Sequence, residues 1–180
     1  MTRSQLSHMP VYFDRYINMT DDVDISEALQ TSLHELENAP IAIWKAIGEK
    51  VYAPGKWTVK DILQHLIDAE RVFSYRATAF ARGEKDVLPF DEELYAKNTT
   101  AATRTIEDLL EEAICLRKSF IYLYKSFNSE MLERMGNGFK GKYSVASIGF
   151  IVPGHQRWHF KILEEKYYGL SKNVKLTHTR

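Results

Sequence analysis

The amino-acid sequence predicts an all-α protein that folds as a four-helix bundle. Four segments repeat apolar residues at three- and four-residue spacing, which is the pattern of an amphipathic helix. Each segment is long enough to cross a small domain, because about 24 residues of helix span roughly 36 Å. Capping residues, glycines and prolines separate the segments. Four helices with one apolar face each can bury those faces against one another in a bundle.

Length and composition agree with one small globular domain. The chain has 180 residues, of which 44% are hydrophobic and 27% are charged, and this balance argues against a disordered or fibrous chain. Lysine plus arginine and aspartate plus glutamate number 24 each, so the chain lacks the overall basic charge typical of a nucleic-acid binder. The single cysteine excludes an intramolecular disulfide and a cysteine-rich zinc site.

The ends and the apolar runs predict a cytoplasmic protein with no membrane partner. Residues 1–10 are polar and lack the apolar core of a secretory signal, and no run of about 18 apolar residues is present to cross a bilayer. We expect residues 1–19 to form an N-terminal extension, residues 20–168 the bundle domain and residues 169–180 a short, frayed tail. The expected partner is a small-molecule substrate rather than a nucleic acid.

The first helical segment covers residues 25–48. Its apolar residues follow the helical period: Ile25, Ala28, Leu29, Leu33 and Leu36. Pro40 predicts a break near Asn38, because proline cannot donate a backbone hydrogen bond inside a helix. A loop at 52–55, which contains proline and glycine, ends the segment.

The second segment, from Thr58 to Gly83, has the clearest helical pattern. Thr58 and Asp61 resemble a capping box, with aspartate in place of the usual glutamate or glutamine. One face is apolar and contains Ile62, Leu66, Ala69, Phe73, Ala77 and Phe80. Residues 86–103 are predicted as a loop with a short turn at 91–94.

The third segment runs from about Thr105 to Phe127. Its predicted inward face contains Ile106, Leu109, Leu110, Ala113, Leu116, Phe120 and Leu123. Its charged residues, Arg117 among them, are predicted to face water, and Cys115 is predicted to be a buried, inert thiol. Residues 128–143 hold three glycines, with Asn137-Gly138 as a turn signal.

The fourth segment covers residues 144–168, and its first half is ambiguous. Residues 145–152 fit a strand as well as a helix, because Pro153-Gly154 is poor helix interior. Pro153 could instead occupy the first turn of a new helix. Both alternatives place the residues after Pro153 on a helix.

Three of the six histidines lie on the predicted apolar faces. His155 and His159 are one helical turn apart, in register with the apolar residues of the fourth segment. His65 lies between Ile62 and Ala69 on the second segment. Three imidazoles from two helices therefore point into one interior. The remaining histidines are expected at the surface: His8, His34 and His178.

A divalent metal would satisfy one nitrogen of each buried imidazole at once. Three histidine ligands with a position left for water suit Zn²⁺ or Ni²⁺. Two alternatives stay open at this point. Hydrogen bonds alone can satisfy core histidines, and a metal site can serve binding without catalysis.

Two missing motifs narrow the chemistry. Gln156 stands where a zincin peptidase has its general-base glutamate, so the pair His155 and His159 does not indicate that class of peptidase. No Glu-x-x-His occurs in the chain, which argues against a ferritin-like di-iron bundle.

Two further polar residues share the face of His65. Asp68 is one turn beyond it and is a candidate to accept a hydrogen bond from a ligand imidazole and so orient it, or else to form a surface ion pair. Arg76 is three turns beyond it and could bind an anionic group of a substrate, pair with an interior acid, or extend outward to water. For Asp61, on the preceding turn, helix capping is the preferred role.

Several stretches of the sequence resemble the DinB/YfiT-like superfamily. Residues 54–68, PGKWTVKDILQHLID, resemble its second-helix motif, and residues 154–159, GHQRWH, resemble its fourth-helix motif. Residues 70–82 and the loop at 89–92 are also similar to it. The resemblance covers about residues 20–168, which is nearly the whole chain.

The resemblance implies an up-down-down-up order of helices and a divalent metal held by His65, His155 and His159. Characterised relatives include metal-dependent transferases that use thiols such as bacillithiol or mycothiol, a thiol-dependent isomerase, and proteins described as metal-dependent hydrolases. Homodimers are common among them. Pro153 departs from the family pattern and could shift His155 relative to His65.

These observations predict a metal-dependent enzyme. The metal would activate a low-molecular-weight thiol for S-transfer to an electrophile, or water for hydrolysis. Thiol transfer is slightly favoured, because no general base beyond Asp68 is evident. The thiol cosubstrate would come from outside the chain, since Cys115 is the single cysteine. The alternative is a non-catalytic stress-response protein that binds a metal or a small ligand.

Overall fold

The structure, a computed structural model, describes residues 1–171 of the chain. Within these residues the elements are α1 (Asp14–Ile17), α2 (Ile25–Glu37), α3 (Ile41–Ile47), α4 (Val59–Ala81), α5 (Glu92–Lys97), α6 (Ile106–Lys125), α7 (Ser129–Glu133), β1 (Met135–Gly138), β2 (Gly141–Ser144) and α8 (Val145–Ile162). A π-helical turn, Leu163–Tyr167, continues α8. No helix in the described part of the chain is long and apolar enough to cross a membrane.

The four long helices α2, α4, α6 and α8 form the predicted bundle. Helices α2 and α4 each pack against both α6 and α8, so they occupy diagonal positions. Helices α2 and α8 run in the same direction: Ile25 lies beside Gly149 near their starts, and the Ser32 carbonyl accepts a hydrogen bond from Gln156 further along. This pairing places the first and last of the four long helices side by side.

Helices α4 and α6 are also parallel to each other. Gln64 accepts a hydrogen bond from Arg104, just before α6, and Arg71 pairs with Glu112 further along both helices. Helix α4 is antiparallel to α8, because Phe80 at the end of α4 contacts Tyr143 just before α8. The order is therefore up-down-down-up, which confirms the prediction and explains the long connection between α4 and α6.

Side-chain caps define the starts of the four long helices. Thr58 and Asp61 form the predicted capping box: the Thr58 hydroxyl accepts from the Asp61 amide at 3.2 Å, and the Asp61 carboxylate accepts from the Thr58 amide at 2.9 Å. Asp24, Thr105 and Ser144 cap α2, α6 and α8, each with a side-chain oxygen that accepts from the amide three residues further on. The predicted break in the first segment lies between α2 and α3. Pro40 directly precedes α3.

Helix α8 passes through Pro153 without interruption, so the strand alternative for residues 145–152 is wrong. Every residue from Val145 to Gln156 is buried. Proline inside a helix costs about 3 kcal/mol, but burying an apolar side chain contributes roughly 1.5–3 kcal/mol, and this half-helix buries several. Tertiary packing therefore outweighs the local preference.

The hairpin turn lies two residues beyond the predicted position. Asn137 and Gly138 belong to β1, and the reversal occurs at Lys140, which has a positive φ of 63°. The glycines of β1 serve close packing instead of the turn, because a Cβ at Gly136 would overlap the ring of Phe80.

Residues 14–17 are packed into the molecule, although the sequence placed them in an N-terminal extension. Helix α1 packs against α8, and Phe13 and Ile17 are core residues. These two apolar residues are one helical turn apart and give α1 a small buried face. At the other end, a 3₁₀ turn, Tyr168–Leu170, contacts α3, and residues 172–180 of the expected tail, including His178, lie outside the described residues.

Two predictions about α6 are wrong. Arg117 is 2% exposed and faces the interior, whereas Cys115 is exposed. Helix α6 packs against α2 on one side and α4 on the other, which buries a wider face than the apolar stripe alone and includes Arg117. Cys115 lies outside this face.

The core consists of two apolar clusters with a polar layer where they meet. Phe73, Phe80 and Phe120 belong to one cluster, and Trp44 and Leu63 to the other. Along α4, α6 and α8, four buried polar residues fall between the two sets: Glu70, Arg117, His155 and Gln156. His65 adjoins them through its contact with His155. This layer holds the candidate site.

Candidate metal centre

Three histidine side chains converge at the polar layer. His65 comes from α4, and His155 and His159 come from successive turns of α8. Nε2 of His155 lies 3.1 Å from Nε2 of His65 and 3.0 Å from Nε2 of His159. The three potential ligand atoms lie within 4.8 Å of one another. The structure therefore brings together the three histidines that the sequence singled out.

Hydrogen bonding among the imidazoles satisfies at most one of the two contacts made by Nε2 of His155. Nε2 of a neutral imidazole either donates or accepts, and His155 presents one Nε2 atom to two others of the same kind. His65 and His155 are 6% and 7% exposed, so water compensates little. A cation between the rings would accept all three lone pairs at once.

Burial keeps these imidazoles neutral. It lowers the pKa of His65 to about 4, and burial together with the charge of His65 lowers the pKa of His159 to about 3. The pKa of His155 is well below its ordinary value because of burial, with further contributions from His159, His65 and Arg117. Neutral imidazole is the form that binds a metal, so the cluster is ready to bind one at neutral pH.

Aromatic rings fix the orientation of the histidines. The indole of Trp57 lies 4.8 Å from the ring of His65 and is nearly parallel to that of His159, at 21°. The ring of Tyr16 packs edge-on against His155, with 4.9 Å between centroids. These contacts restrict the rotation of the imidazoles and limit the access of water to them.

Helix α1 reaches His155 because of a glycine in α8. A Cβ at Gly154 would overlap the backbone carbonyl of Tyr16. The absence of a side chain lets the two backbones touch, and this brings the Tyr16 ring onto His155. The Pro153-Gly154 pair, unfavourable for an isolated helix, is thus compatible with the histidine cluster.

A buried ion pair lies beneath the histidines. Both oxygens of the Glu70 carboxylate accept hydrogen bonds from Arg117, at 2.8 Å and 3.0 Å. Arg117 also donates to the Ser32 hydroxyl. Because Gln156 donates to the Ser32 carbonyl at 3.0 Å, this network links α2, α4, α6 and α8 next to His155.

Helix α5 brings carboxylates to the open side of the cluster. Oε2 of Glu92 lies 3.9 Å from Nε2 of His65. Burial, together with the charges of Glu93 and Asp91, raises the pKa of Glu92 above its usual range. The Asp91 carboxylate caps α5 by accepting from the Leu94 amide at 3.0 Å, and this cap positions Glu92 in the first turn.

Two cavities reach the histidines on the side of α5. The Arg76 cavity is lined by His65, His155, Glu92 and Arg76. Its remaining wall is largely aromatic: Tyr12, Phe13, Tyr16, Phe73, Phe90 and Phe139. The His159 cavity, of about 200 Å³, is lined by His159, Trp57 and Lys56, with Glu93 at its edge. Helix α5 thus contributes one glutamate to each cavity.

Comparison with known proteins agrees with this architecture. A family model described as the DinB superfamily matches residues 5–163. The chain belongs to the DinB superfamily. A comparison of the sequence with curated proteins found no match.

One solved structure illustrates the DinB fold of this chain. It is YfiT from Bacillus subtilis, described as a probable metal-dependent hydrolase with an unusual four-helix bundle topology. The two share 18% sequence identity over 88% of this chain and 89% of that one, with a TM-score of 0.62. The similarity shows the fold of this DinB chain.

Asp68 and Arg76, the two further site residues predicted on α4, lie in different places. Asp68 is half-buried and accepts a hydrogen bond from Gln64 at 3.0 Å. It lines a separate groove with Arg104, and burial raises its pKa. Arg76 is 1% exposed, so it does not extend outward, and it lines the cavity at the histidines.

Several residues at the centre of this DinB chain were not singled out from the sequence. Glu92 lies in a loop-like stretch of acidic residues, and only its place in a family-like loop drew attention to it. Tyr16 lay in the presumed extension, and Glu70 carried no signal of burial beyond its position on the α4 face. Each contacts the site through packing between distant segments, which periodicity does not encode.

Proposed function

We propose that this protein is a metal-dependent hydrolase of small molecules. In this proposal His65, His155 and His159 hold one divalent cation, and Glu92 serves as the general base. The observation that supports it most is the convergence of three Nε2 atoms beside a carboxylate, at the junction of two cavities. The description of YfiT as a probable metal-dependent hydrolase agrees with it.

The donor set fits such a cation. A metal about 2.0–2.1 Å from each imidazole nitrogen holds neighbouring nitrogens roughly 3.0–3.4 Å apart, depending on the angle between them. The two Nε2 separations at His155 are 3.1 Å and 3.0 Å. Three imidazoles and no thiolate favour Zn²⁺ or Ni²⁺.

The chemistry divides between the cation and the chain. A bound divalent cation polarises a carbonyl group and makes water acidic, with a pKa near 7 in zinc enzymes. Glu92, 3.9 Å from Nε2 of His65, would serve as the proton acceptor for a water held at this site, and its raised pKa would improve it as a base near neutral pH. Trp57 and Tyr16 exclude bulk water from the histidines. Asp68, which hydrogen-bonds Gln64, has no part in this scheme.

Thiol transfer is the second candidate, and the His159 cavity supports it. This cavity provides about 200 Å³ for a second molecule beside the cluster, with Lys56 at its wall. Cys115 is exposed on α6 and does not line either cavity, so the thiol would come from solution. Glu92 removes the earlier reason to prefer thiol transfer, namely the lack of a base at the site.

Elemental analysis of untagged protein tests the metal site. We expect about one equivalent of a divalent metal in the native protein and a loss of it in His65→Ala. The control is His34→Ala, an exposed histidine of the same type on α2, which should keep the metal. Equal metal contents in native protein and His65→Ala would contradict the assignment.

Turnover distinguishes the candidate functions once the metal is established. A model ester such as p-nitrophenyl acetate reports hydrolysis, and monochlorobimane with bacillithiol, glutathione or cysteine reports S-transfer. Metal-dependent ester cleavage without thiol supports the hydrolase. Metal-dependent conjugation alone supports the transferase, and a metal-loaded protein inactive in both assays supports a binding protein.

A further inference from the structure

We infer that the Arg76 cavity recognises an elongated apolar substrate that ends in a carboxylate, with the Arg76 guanidinium as the receptor for that carboxylate. This inference rests on the proposed function only for the reaction at the other end of the substrate. The anion-binding step itself needs no metal.

Arg76 is a buried cation without a counterion. It is 1% exposed, and no carboxylate of residues 1–171 lies within ion-pairing distance of it. Its Nη2 donates to the Leu88 carbonyl at 3.1 Å, and its Nε has no partner. Arg117, the other fully buried arginine of this region, has the whole carboxylate of Glu70. A buried charge without a counterion is destabilising, so a ligand that supplies the missing anion would be bound strongly.

The cavity joins Arg76 to the histidines. His65, Ala69, Phe73 and Arg76 follow one another on one face of α4, and all four line it. Eleven residues of helix correspond to about 16 Å between the backbones of His65 and Arg76. Helical side chains lean toward the N-terminus, so the Arg76 guanidinium leans toward the histidines. A ligand bound at both ends is therefore elongated.

The walls determine the rest of the ligand. The side of the cavity between its two ends is mostly aromatic, which favours an apolar or aryl body. Arg76 is the only Lys or Arg side chain among the residues that line it, so one negative charge is matched better than the two of a phosphate monoester. In the metal-free protein the Glu92 carboxylate disfavours an anion at the histidine end. The carboxylate consequently lies at Arg76 and the reactive bond at His65 and His155.

The cavity holds about 40 Å³ in this structure, enough for a carboxylate and little more. A complete ligand must therefore displace part of the wall. The segment that includes Leu88 is suited to this, because the Leu88 side chain is 84% exposed and its carbonyl is the acceptor that a carboxylate would replace.

Calorimetric titration of the metal-free protein tests the inference. The probes are 6-phenylhexanoate and its neutral amide, 6-phenylhexanamide, which differ only in the charged end. Removal of the metal with a chelator prevents direct coordination of the carboxylate. We expect the carboxylate to bind at least tenfold more tightly than the amide, and Arg76→Met to abolish this difference. Equal binding of both probes by the native protein, or a preference that survives in Arg76→Met, would overturn the inference.

Thermal stability distinguishes a ligand-binding role of Arg76 from a structural role. Removal of an unpaired buried cation should leave the melting temperature of Arg76→Met unchanged or higher, whereas loss of a structural contact lowers it. Arg76→Lys keeps the charge but not the bidentate geometry, and it should retain a weakened preference for the carboxylate. A lowered melting temperature in Arg76→Met together with no carboxylate preference in Arg76→Lys would contradict the receptor role.

The two proposals can fail separately. If the native protein contains no metal but prefers the carboxylate probe, the hydrolase proposal fails and the anion site stands. If it contains metal and cleaves esters but does not prefer the carboxylate, the hydrolase stands and the anion site fails.

Discussion

The backbone carbonyl of Tyr16 occupies the space that a side chain at Gly154 would need. This contact joins α1 to α8 one residue before His155, and it holds the ring of Tyr16 against that histidine. The N-terminal residues are therefore part of the site as well as of the core. A small change at Gly154 should consequently affect both stability and metal binding.

We expect Gly154→Ala to lower the free energy of unfolding by about 2–3 kcal/mol, because the new methyl group overlaps a backbone atom that cannot move aside without displacing α1. Metal affinity should fall with it. Gly169→Ala is the matched control, since a Cβ there has no neighbour within 4 Å. Urea denaturation of both variants measures the effect, and equal stabilities would argue against a tight α1–α8 contact.

The ion pair of Glu70 and Arg117 should be essential for stability. Arg117→Met leaves the buried Glu70 carboxylate unpaired, which costs about 3–5 kcal/mol. Lys118→Met is the control on the next residue: its ion pair is exposed and should change stability by no more than about 1 kcal/mol. The double variant Glu70→Leu with Arg117→Met should recover part of the loss. Chemical denaturation of the native protein and the three variants measures these differences. If Arg117→Met were as stable as the native protein, the buried ion pair would not be essential for stability.

Stability of the metal-free protein should fall as the pH is lowered from about 6.5 to about 4. The pKa of His65 is about 4 in the folded chain and near its ordinary value of 6.5 in the unfolded chain. Between these values the unfolded state binds more protons, so acid favours unfolding; above about pH 6.5 the difference vanishes. His65→Gln should weaken this dependence, whereas His34→Gln should not. Denaturation curves at several pH values measure this dependence. An equal change of stability with pH in the native protein and both variants would contradict the prediction.

Glu92→Gln should reduce kcat by at least about 100-fold, as is typical for loss of a general base, while the metal content stays the same. Activity of the native protein should fall as the pH drops through the raised pKa of Glu92, because the protonated carboxyl cannot accept a proton. Glu93→Gln, which changes the neighbouring carboxylate at the His159 cavity, is the control. Loss of metal in Glu92→Gln would contradict the role of Glu92 as a general base and indicate that Glu92 is a metal ligand.

Homodimer formation, expected from the family resemblance, stays a prediction. It concerns contacts between chains, and the fold and site described above involve one chain. Light scattering of the purified protein measures it directly.

The long helices and the three histidines were predictable because both depend on local order. Thr58 and Asp61 cap α4 within one turn. His155 and His159 share one face of α8 wherever that helix packs in the fold. The predictions were wrong where contacts between distant segments determine burial and local structure. Arg117 is buried because α2 and α4 flank it, and Pro153 stays helical because the residues around it are buried.

The neutral charge and the inward direction of His65, His155 and His159 follow from the sequence alone, because composition and helical period need no tertiary contact. The 3.1 Å between Nε2 atoms of His65 and His155, residues 90 positions apart, follows from the antiparallel packing of α4 and α8. The same holds for Glu92 at the cluster and for Arg76 without a counterion. Packing in three dimensions sets these distances and burials, whereas the local preferences of each segment are compatible with many arrangements.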